Sequence, residues 1–265
     1  MKLTLIITTY NWPESLILVL KSVEKQTVQP SEIIIADDGS SNITKNEIEK
    51  FRQKSKLNII HSWQADIGFR VARSRNKAIL KSNGDYIILV DGDMILHPEF
   101  IKDHIFSAEI GYFVQGSRVL LSRAKTKQII KNKNINLSFY SLGIHNRNKA
   151  IHSIFLAKIF TIKSIDIKGV RSCNMAFYRN DFFNINGFNN LFEGWGREDS
   201  ELAIRFINSN ILRKKILFTA IQYHLWHNEN NRATLDANNF ILESAIKNST
   251  KWCENGVNSI KDNES

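Results

Sequence analysis

Tyr86-Ile87-Ile88-Leu89-Val90-Asp91-Gly92-Asp93 is the stretch on which the fold turns. An unbroken apolar run of this length predicts a strand buried on both faces, and the run stops abruptly at an acidic, glycine-centred turn. The same pattern occurs twice upstream. Residues 3–8 form a β-branched run that ends in Thr9-Tyr10-Asn11, and residues 32–36 form another that ends in Asp37-Asp38-Gly39-Ser40. A further strand is expected at 57–61.

Helical spacing fills the intervals. Pro13 sits where a helix begins, and Leu16, Ile17, Leu20 and Val23 recur at its period. Residues 71–81 and 98–106 also read as helices, and 112–121 as a strand. Strands alternating with helices predict an α/β fold with a mostly parallel central sheet. Ligands of such sheets lie off the carboxyl ends of the strands. Residues 1–121 therefore form the expected nucleotide-binding half. Residues 122–168 are basic and Asn-rich with no clear strand, and read as a mobile or surface excursion. Order returns in 169–265, with strands expected at 173–178 and 216–223 and helices at 199–208 and 235–247.

The chain has 265 residues, 43% of them hydrophobic and 10% aromatic, with 3 Pro and 12 Gly. This excludes a linker-rich or low-complexity protein and allows a substantial core. The formal charge of +10 suits anionic partners. It is concentrated in 118–168 and at Arg213, Lys214 and Lys215. Cys173 and Cys253 are too few for a disulfide framework or a cysteine zinc site, which favours a reducing compartment. No stretch reaches the roughly 20 apolar residues that a membrane span needs. Residues 1–10 read as a buried strand, not a signal peptide.

Asp91-Gly92-Asp93 offers two hard oxygen ligands at a strand end, as Mg2+ or Mn2+ prefers. Asp-Gly is equally a favoured turn pair. The acidic pair Asp37-Asp38 ends a strand of the same sheet, and clustered carboxylates need a cation or donors to offset them. His224 and His227 follow a predicted strand and could complete a metal shell, or simply flank Trp226. In Gly194-Trp195-Gly196-Arg197-Glu198-Asp199, two glycines hold a flat ring at a bend, a suitable platform for a sugar. Two carboxylates then open a helix whose N-terminus is expected to keep them ionised, while Asp199 could also serve as a helix cap.

Together these motifs resemble the family 2 glycosyltransferases, which have the GT-A fold. The resemblance lies in Ile6-Ile7-Thr8-Thr9-Tyr10-Asn11, Ile35-Ala36-Asp37-Asp38-Gly39-Ser40 and Leu89-Val90-Asp91-Gly92-Asp93. The string 194–199 and His224-Leu225-Trp226-His227 are similar to the C-terminal part of animal β-1,4-galactosyltransferases and of bacterial chondroitin-polymerase-like enzymes. The likeness covers residues 1–120 and 170–232.

The resemblance implies an inverting, metal-dependent transfer of a sugar, galactose or N-acetylgalactosamine favoured, from a UDP-sugar to a glycan or lipid-linked glycan acceptor in surface polysaccharide or lipopolysaccharide synthesis. Thr9, Tyr10 and Asn11 would sit against uridine. Asp38 would accept from the uracil N–H with Asp37 nearby, and Arg75 would help to hold the nucleotide. Asp91 would face the ribose and the metal, Mn2+ or Mg2+. Asp93 and His227 would ligate that metal, and His224 falls where some relatives place a further ligand. Trp195 and Glu198 would bind sugar, and Asp199 would be the catalytic base. Arg197 departs from the pattern, standing where many relatives have glycine, and could meet a diphosphate or an acidic acceptor. Residues 169–265 become the acceptor-binding and catalytic half.

A cytoplasmic protein is expected, peripheral on the inner face of the cytoplasmic membrane. Ile151, Ile154, Phe155 and Ile159 recur at helical spacing among Lys and Arg, so this stretch could lie on an anionic membrane or cover the core. Three rivals compete. A nucleic-acid-binding module would place basic groups, not carboxylates, at the strand ends. A sugar nucleotidyltransferase would carry a glycine-rich phosphate loop, which Thr8-Thr9-Tyr10-Asn11 is not. An inert sugar-binding protein would have no use for Glu198-Asp199.

Overall fold

The computed structural model describes residues 1–228 and 231–260; the end of the 169–265 segment lies outside them. The first half runs β1 (Leu3–Thr9), α1 (Pro13–Glu24), β2 (Glu32–Asp37), α2 (Asn42–Arg52), β3 (Ile59–Trp63), α3 (Val71–Leu80) and β4 (Tyr86–Asp91). It continues through β5 (Met94–Leu96), α4 (Phe100–Ser107), β6 (Tyr112–Gln115), β7 (Val119–Leu121) and α5 (Arg123–Asn132). Then come β8 (Ile144–His145), α6 (Ile154–Phe160), β9 (Ile162–Ser164), β10 (Asn174–Tyr178) and α7 (Arg179–Asn184). Next come α8 (Glu198–Asn208), β11 (Leu212–Lys215), β12 (Gln222–His224) and α9 (Leu235–Lys247), followed by a turn of 3-10 helix at Val257–Ser259.

Eight strands form the central sheet in the order β3-β2-β1-β4-β10-β6-β11-β9. Strands β3, β2, β1 and β4 are parallel. Strand β10 is antiparallel to both β4 and β6, and β11 returns parallel to β6. The chain steps outward from β1 to β2 and β3, then comes back to the other side of β1 as β4. The crevice off the ends of β1 and β4 is thus a topological switch point, where α/β sheets bind ligands.

Both faces of the sheet are covered, as the continuous apolar runs require. One face packs Leu5, Ile7, Ile88 and Val90 against α1 and α4. The other packs Ile6, Ile34, Ile87 and Leu89 against α3 and α8. Phe206 of α8 lies 5.5 Å from Phe113 and 5.4 Å from Phe177. Burying one such ring contributes about 1.5–3 kcal/mol by transfer from water.

A second sheet, β5-β12-β7-β8, differs from expectation. The predicted strand 112–121 is divided: β6 belongs to the main sheet, and the chain crosses at Gly116–Arg118 to begin β7 in the small one. The predicted strand 216–223 is a strand only at its end, β12; β11 precedes it, and residues 216–221 form no strand. Residues 122–168 contain α5, α6 and two short strands. Strand β8 pairs with β7, and β9 forms the edge of the main sheet beside β11.

Candidate active site

The register of the two sheets assembles the site. Strand β5 leaves the Asp91-Gly92-Asp93 turn and pairs antiparallel with β12, so that His224 lies opposite Met94. The amide of Leu225 donates to the Asp93 carbonyl at 2.9 Å. The pairing leaves both histidines beside the turn. Nε2 of His224 is 3.1 Å from Asp93 Oδ2, and Nε2 of His227 is 3.2 Å from the same atom. Burial pushes the Asp93 carboxyl up, but the hydrogen bonds and positive charge of the two imidazoles hold it well below the usual carboxylate range.

Asp93, His224 and His227 bring one ligand atom each to within 4.8 Å of one another. Asp93 Oδ1 is buried with no hydrogen-bond partner among the described residues. An orphaned carboxylate oxygen beside two converging imidazoles suits a divalent cation with mixed oxygen and nitrogen ligands. The residues present therefore fit the metal that the motifs imply.

Arg75 of α3 joins the two halves of the site. It is 3% exposed. Its guanidinium donates to Asp91 at 3.0 Å, to Glu198 at 3.2 Å and to the Thr8 hydroxyl at 3.1 Å. A buried cation of this kind needs carboxylate partners, and both of these carboxylates need it. The 91–93 turn and the 194–199 string thus face one another across a single side chain. Asp91 keeps a side-chain exposure of 34% and opens toward the crevice. Each guanidinium nitrogen of Arg75 is engaged by a protein group.

At the start of α8, the expected ionisation differs. Burial and the charge of Asp199 push the Glu198 carboxyl up to about 7, against the opposing charge of Arg75. Burial also raises Asp199, opposed by Arg75 and by the amides of Ser200 and Ser172. Desolvation thus outweighs the helix N-terminus. Asp199 is half-buried and accepts from the Ser172 amide at 3.4 Å and the Ser200 hydroxyl at 3.2 Å.

The loop before α8 is held by its backbone. Gly194 has φ +71°, and a Cβ there would collide with the Thr234 hydroxyl. Arg197 takes φ +80°, a left-handed conformation that glycine adopts more readily, which accounts physically for the glycine expected at this position. Its guanidinium donates to Asn239 of α9 at 2.7 Å. Trp195 is 39% exposed, with the guanidinium of Arg232 4.9 Å from its ring centre. Asn238, 2% exposed, donates to the carbonyls of Glu193 and Gly196, both at 3.0 Å. Nothing in the local sequence marks Asn238 or Ser172; only their contacts do.

The opposite end of the crevice is built from the ends of β1 and β2. Tyr10 is exposed, and its hydroxyl donates to Asp66 at 2.9 Å. Asn11 accepts from the Ser41 amide at 2.9 Å, and the Asp38 amide donates to the Thr9 carbonyl at 3.0 Å. Asp37 is buried, held by the Ser40 amide and by His61 at 2.8 Å each. Asp38 is buried too, accepting from Gln64 at 2.6 Å and from the Arg70 amide at 2.8 Å. Burial pushes its carboxyl up to about 6 against those donors.

Comparison with known proteins agrees with this architecture. The family model "Glycosyl transferase family 2" matches residues 4–179, and "N-terminal domain of galactosyltransferase" matches 160–228. Validoxylamine A glucosyltransferase of Streptomyces hygroscopicus subsp. limoneus is 23% identical over 77% of this chain and 47% of its own length. Chondroitin synthase of Escherichia coli is 25% identical over 84% of this chain and 34% of its own. This chain thus spans half or less of those two relatives. Among solved structures, Staphylococcus aureus TarS 1–349 in complex with UDP superposes with a TM-score of 0.64, at 17% identity, over 94% of this chain and 66% of that one. The shared fold is GT-A.

Proposed function

We propose that this chain, which belongs to glycosyl transferase family 2, transfers a sugar from a UDP-sugar to a hydroxyl of a glycan acceptor, inverting the anomeric centre. The observation that carries this reading is Arg75, which binds Asp91 at the donor end and Glu198 at the acceptor end. The ends of β1 and β2, with Thr9, Tyr10, Asn11, Asp37 and Asp38, would receive the uridine. Asp93, His227 and His224 would hold Mn2+ or Mg2+. Bound there, the cation would offset charge developing on the diphosphate leaving group.

Asp199 is the base in this reading. Its carboxylate takes the proton of the acceptor hydroxyl as that oxygen bonds to the anomeric carbon and the bond from that carbon to the diphosphate breaks. Ser172 and Ser200 fix its two oxygens, so its orientation is set before substrate arrives. Attack from the face opposite the leaving group gives inversion. Trp195 offers a partly open ring to the sugar.

The 194–199 motif favours galactose or N-acetylgalactosamine as the transferred sugar, for a surface polysaccharide or lipopolysaccharide. The test is a screen of UDP-sugars with Mn2+, read as release of UDP. Release of pyrophosphate instead would mark a nucleotidyltransferase and overturn the reading.

Attachment to an anionic bilayer belongs to the same proposal. Phe155, Ile159 and Phe160 of α6 are 72%, 58% and 48% exposed. Eleven of the chain's 36 Lys and Arg but one of its 26 Asp and Glu lie within 118–168, and that charge selects anionic lipid as the surface that α6 meets. Among the described residues no helix is long and apolar enough to cross a membrane.

A further inference from the structure

The rim of the central sheet changes sign along its length. At the end of β4 it is acidic, with Asp91 and Asp93. One strand further on, β10 runs antiparallel to β4, with Asn174 opposite Val90. Its approach, Arg171-Ser172-Cys173, therefore lies at the same rim. Next is β6, whose last residue Gln115 pairs with Met175 and is followed three residues later by Arg118. Then comes β11, whose last residue Lys215 is in register with Gln115. Arg171, Arg118 and Lys215 thus stand at one end of three neighbouring strands, and Lys149 joins them from the turn of helix at Arg147–Ala150.

No side-chain hydrogen bond or ion pair of these four cations is found among the described residues. Arg171 is exposed, and Arg118, Lys149 and Lys215 are half-buried. Burial and then the charges of Arg171, Lys215 and Arg118 pull the Lys149 ammonium below its ordinary range. The buried Cys173 thiol marks the boundary, since it feels Asp91 and Asp93 as well as Arg118 and Arg171. Four cations held against each other with no acidic partner form a site that an anion would complete.

We propose that this rim binds an anionic group, phosphate or carboxylate, of the acceptor. The inference rests on the glycosyl-transfer reading above. The position chooses acceptor over donor. Arg171 adjoins Ser172, whose amide holds Asp199, the group that meets the acceptor hydroxyl. The donor diphosphate would instead meet the cation that Asp93, His224 and His227 would hold. An acceptor reaching past Asp199 along the rim would place its charged group among Arg171, Arg118, Lys149 and Lys215.

The test compares three matched glycosides as acceptors: a neutral one, its phosphate ester and its uronate. The wild type is expected to prefer at least one charged acceptor, by about tenfold in KM, with a preference that fades as salt rises. Preference for the phosphate or for the uronate identifies the source of the charge. Arg171→Gln combined with Lys149→Gln should remove the preference by raising KM for the charged acceptor, while UDP affinity by calorimetry stays within about twofold. Equal use of all three acceptors by the wild type would overturn the proposal. So would a variant whose UDP affinity collapses, because the rim would then serve the donor. Absence of UDP release from any UDP-sugar would sink the transferase reading itself, a distinguishable result.

Discussion

The Nε2 atoms of His224 and His227 stand 3.1 Å apart, although the residues belong to a strand end and a loop three positions on. Both nitrogens also meet Asp93 Oδ2, so the two imidazoles and the carboxylate converge on one point where a cation would fit. The protein is expected to bind about one equivalent of Mn2+ by calorimetry. Asp93→Ala should weaken that affinity by about 100-fold or more, since loss of a direct ligand exceeds the loss of an outer partner. EDTA should stop sugar transfer, and Mn2+ or Mg2+ should restore it. Unaltered metal affinity in the variant would remove Asp93 from the ligand set.

Asp199→Asn keeps the shape of the side chain and removes its basicity. Turnover should fall by roughly 10²–10⁴-fold with the Kd for UDP unchanged. Rate and calorimetry together separate the two roles, and a variant with wild-type kcat would show that another group takes the proton.

Arg75→Gln leaves Asp91 and Glu198 without their buried cation. Stability should drop by about 3–5 kcal/mol, read from urea unfolding. The sign of the pH effect follows from the same contact. Arg75 opposes the upward shift of Glu198 and Asp199, so its loss raises both further. With Asp199 as the proposed base, which acts only when ionised, the acid limb of the kcat profile should move to higher pH. Arg75→Lys, which keeps the charge, should restore part of that movement, and a limb that stays put in Arg75→Gln would break the link between Arg75 and the base.

Asp38 predicts a pH trend in stability. Its carboxyl is raised to about 6 in the folded chain, so its contribution is fully present below the unfolded value near 4 and is lost as pH rises through 6. Asp38→Asn cannot ionise. Its Tm relative to wild type should therefore climb between pH 4 and pH 7, and a difference that stays constant over that window would refute the shift.

How much of this was legible depended on where the chain announces its burial. Strands β1, β2 and β4 are apolar on both faces and end in turn residues, so they stand out. Strand β11 is Leu212-Arg213-Lys214-Lys215, which reads as solvent-facing. It forms a strand because Arg213 donates to the carbonyls of Asp166 and Lys168 and to Gln115, while Lys214 meets Glu109. The small sheet has strands of two or three residues, too short for any period to show. The candidate metal ligands and the acidic opening of α8 are visible as motifs. What a motif cannot carry is desolvation, which reverses the expected ionisation of Glu198 and Asp199, or the burial of Arg75 between two segments more than a hundred residues apart.

The exposed face of α6 makes a prediction of its own. Phe155→Ser combined with Phe160→Ser should cut co-sedimentation with phosphatidylglycerol vesicles several-fold while leaving the melting temperature close to wild type. Binding that ignores both the substitutions and added salt would assign those rings to another task.

Asn238 ties the tryptophan loop to α9 through two carbonyls. Shape around Trp195 is consequently governed by a helix some forty residues downstream. Exchange of that helix between homologues should reshape this edge without touching a single motif, and a chain cut ahead of Leu235 should keep the strand ends of β1 and β2 yet lose the contour beside Trp195.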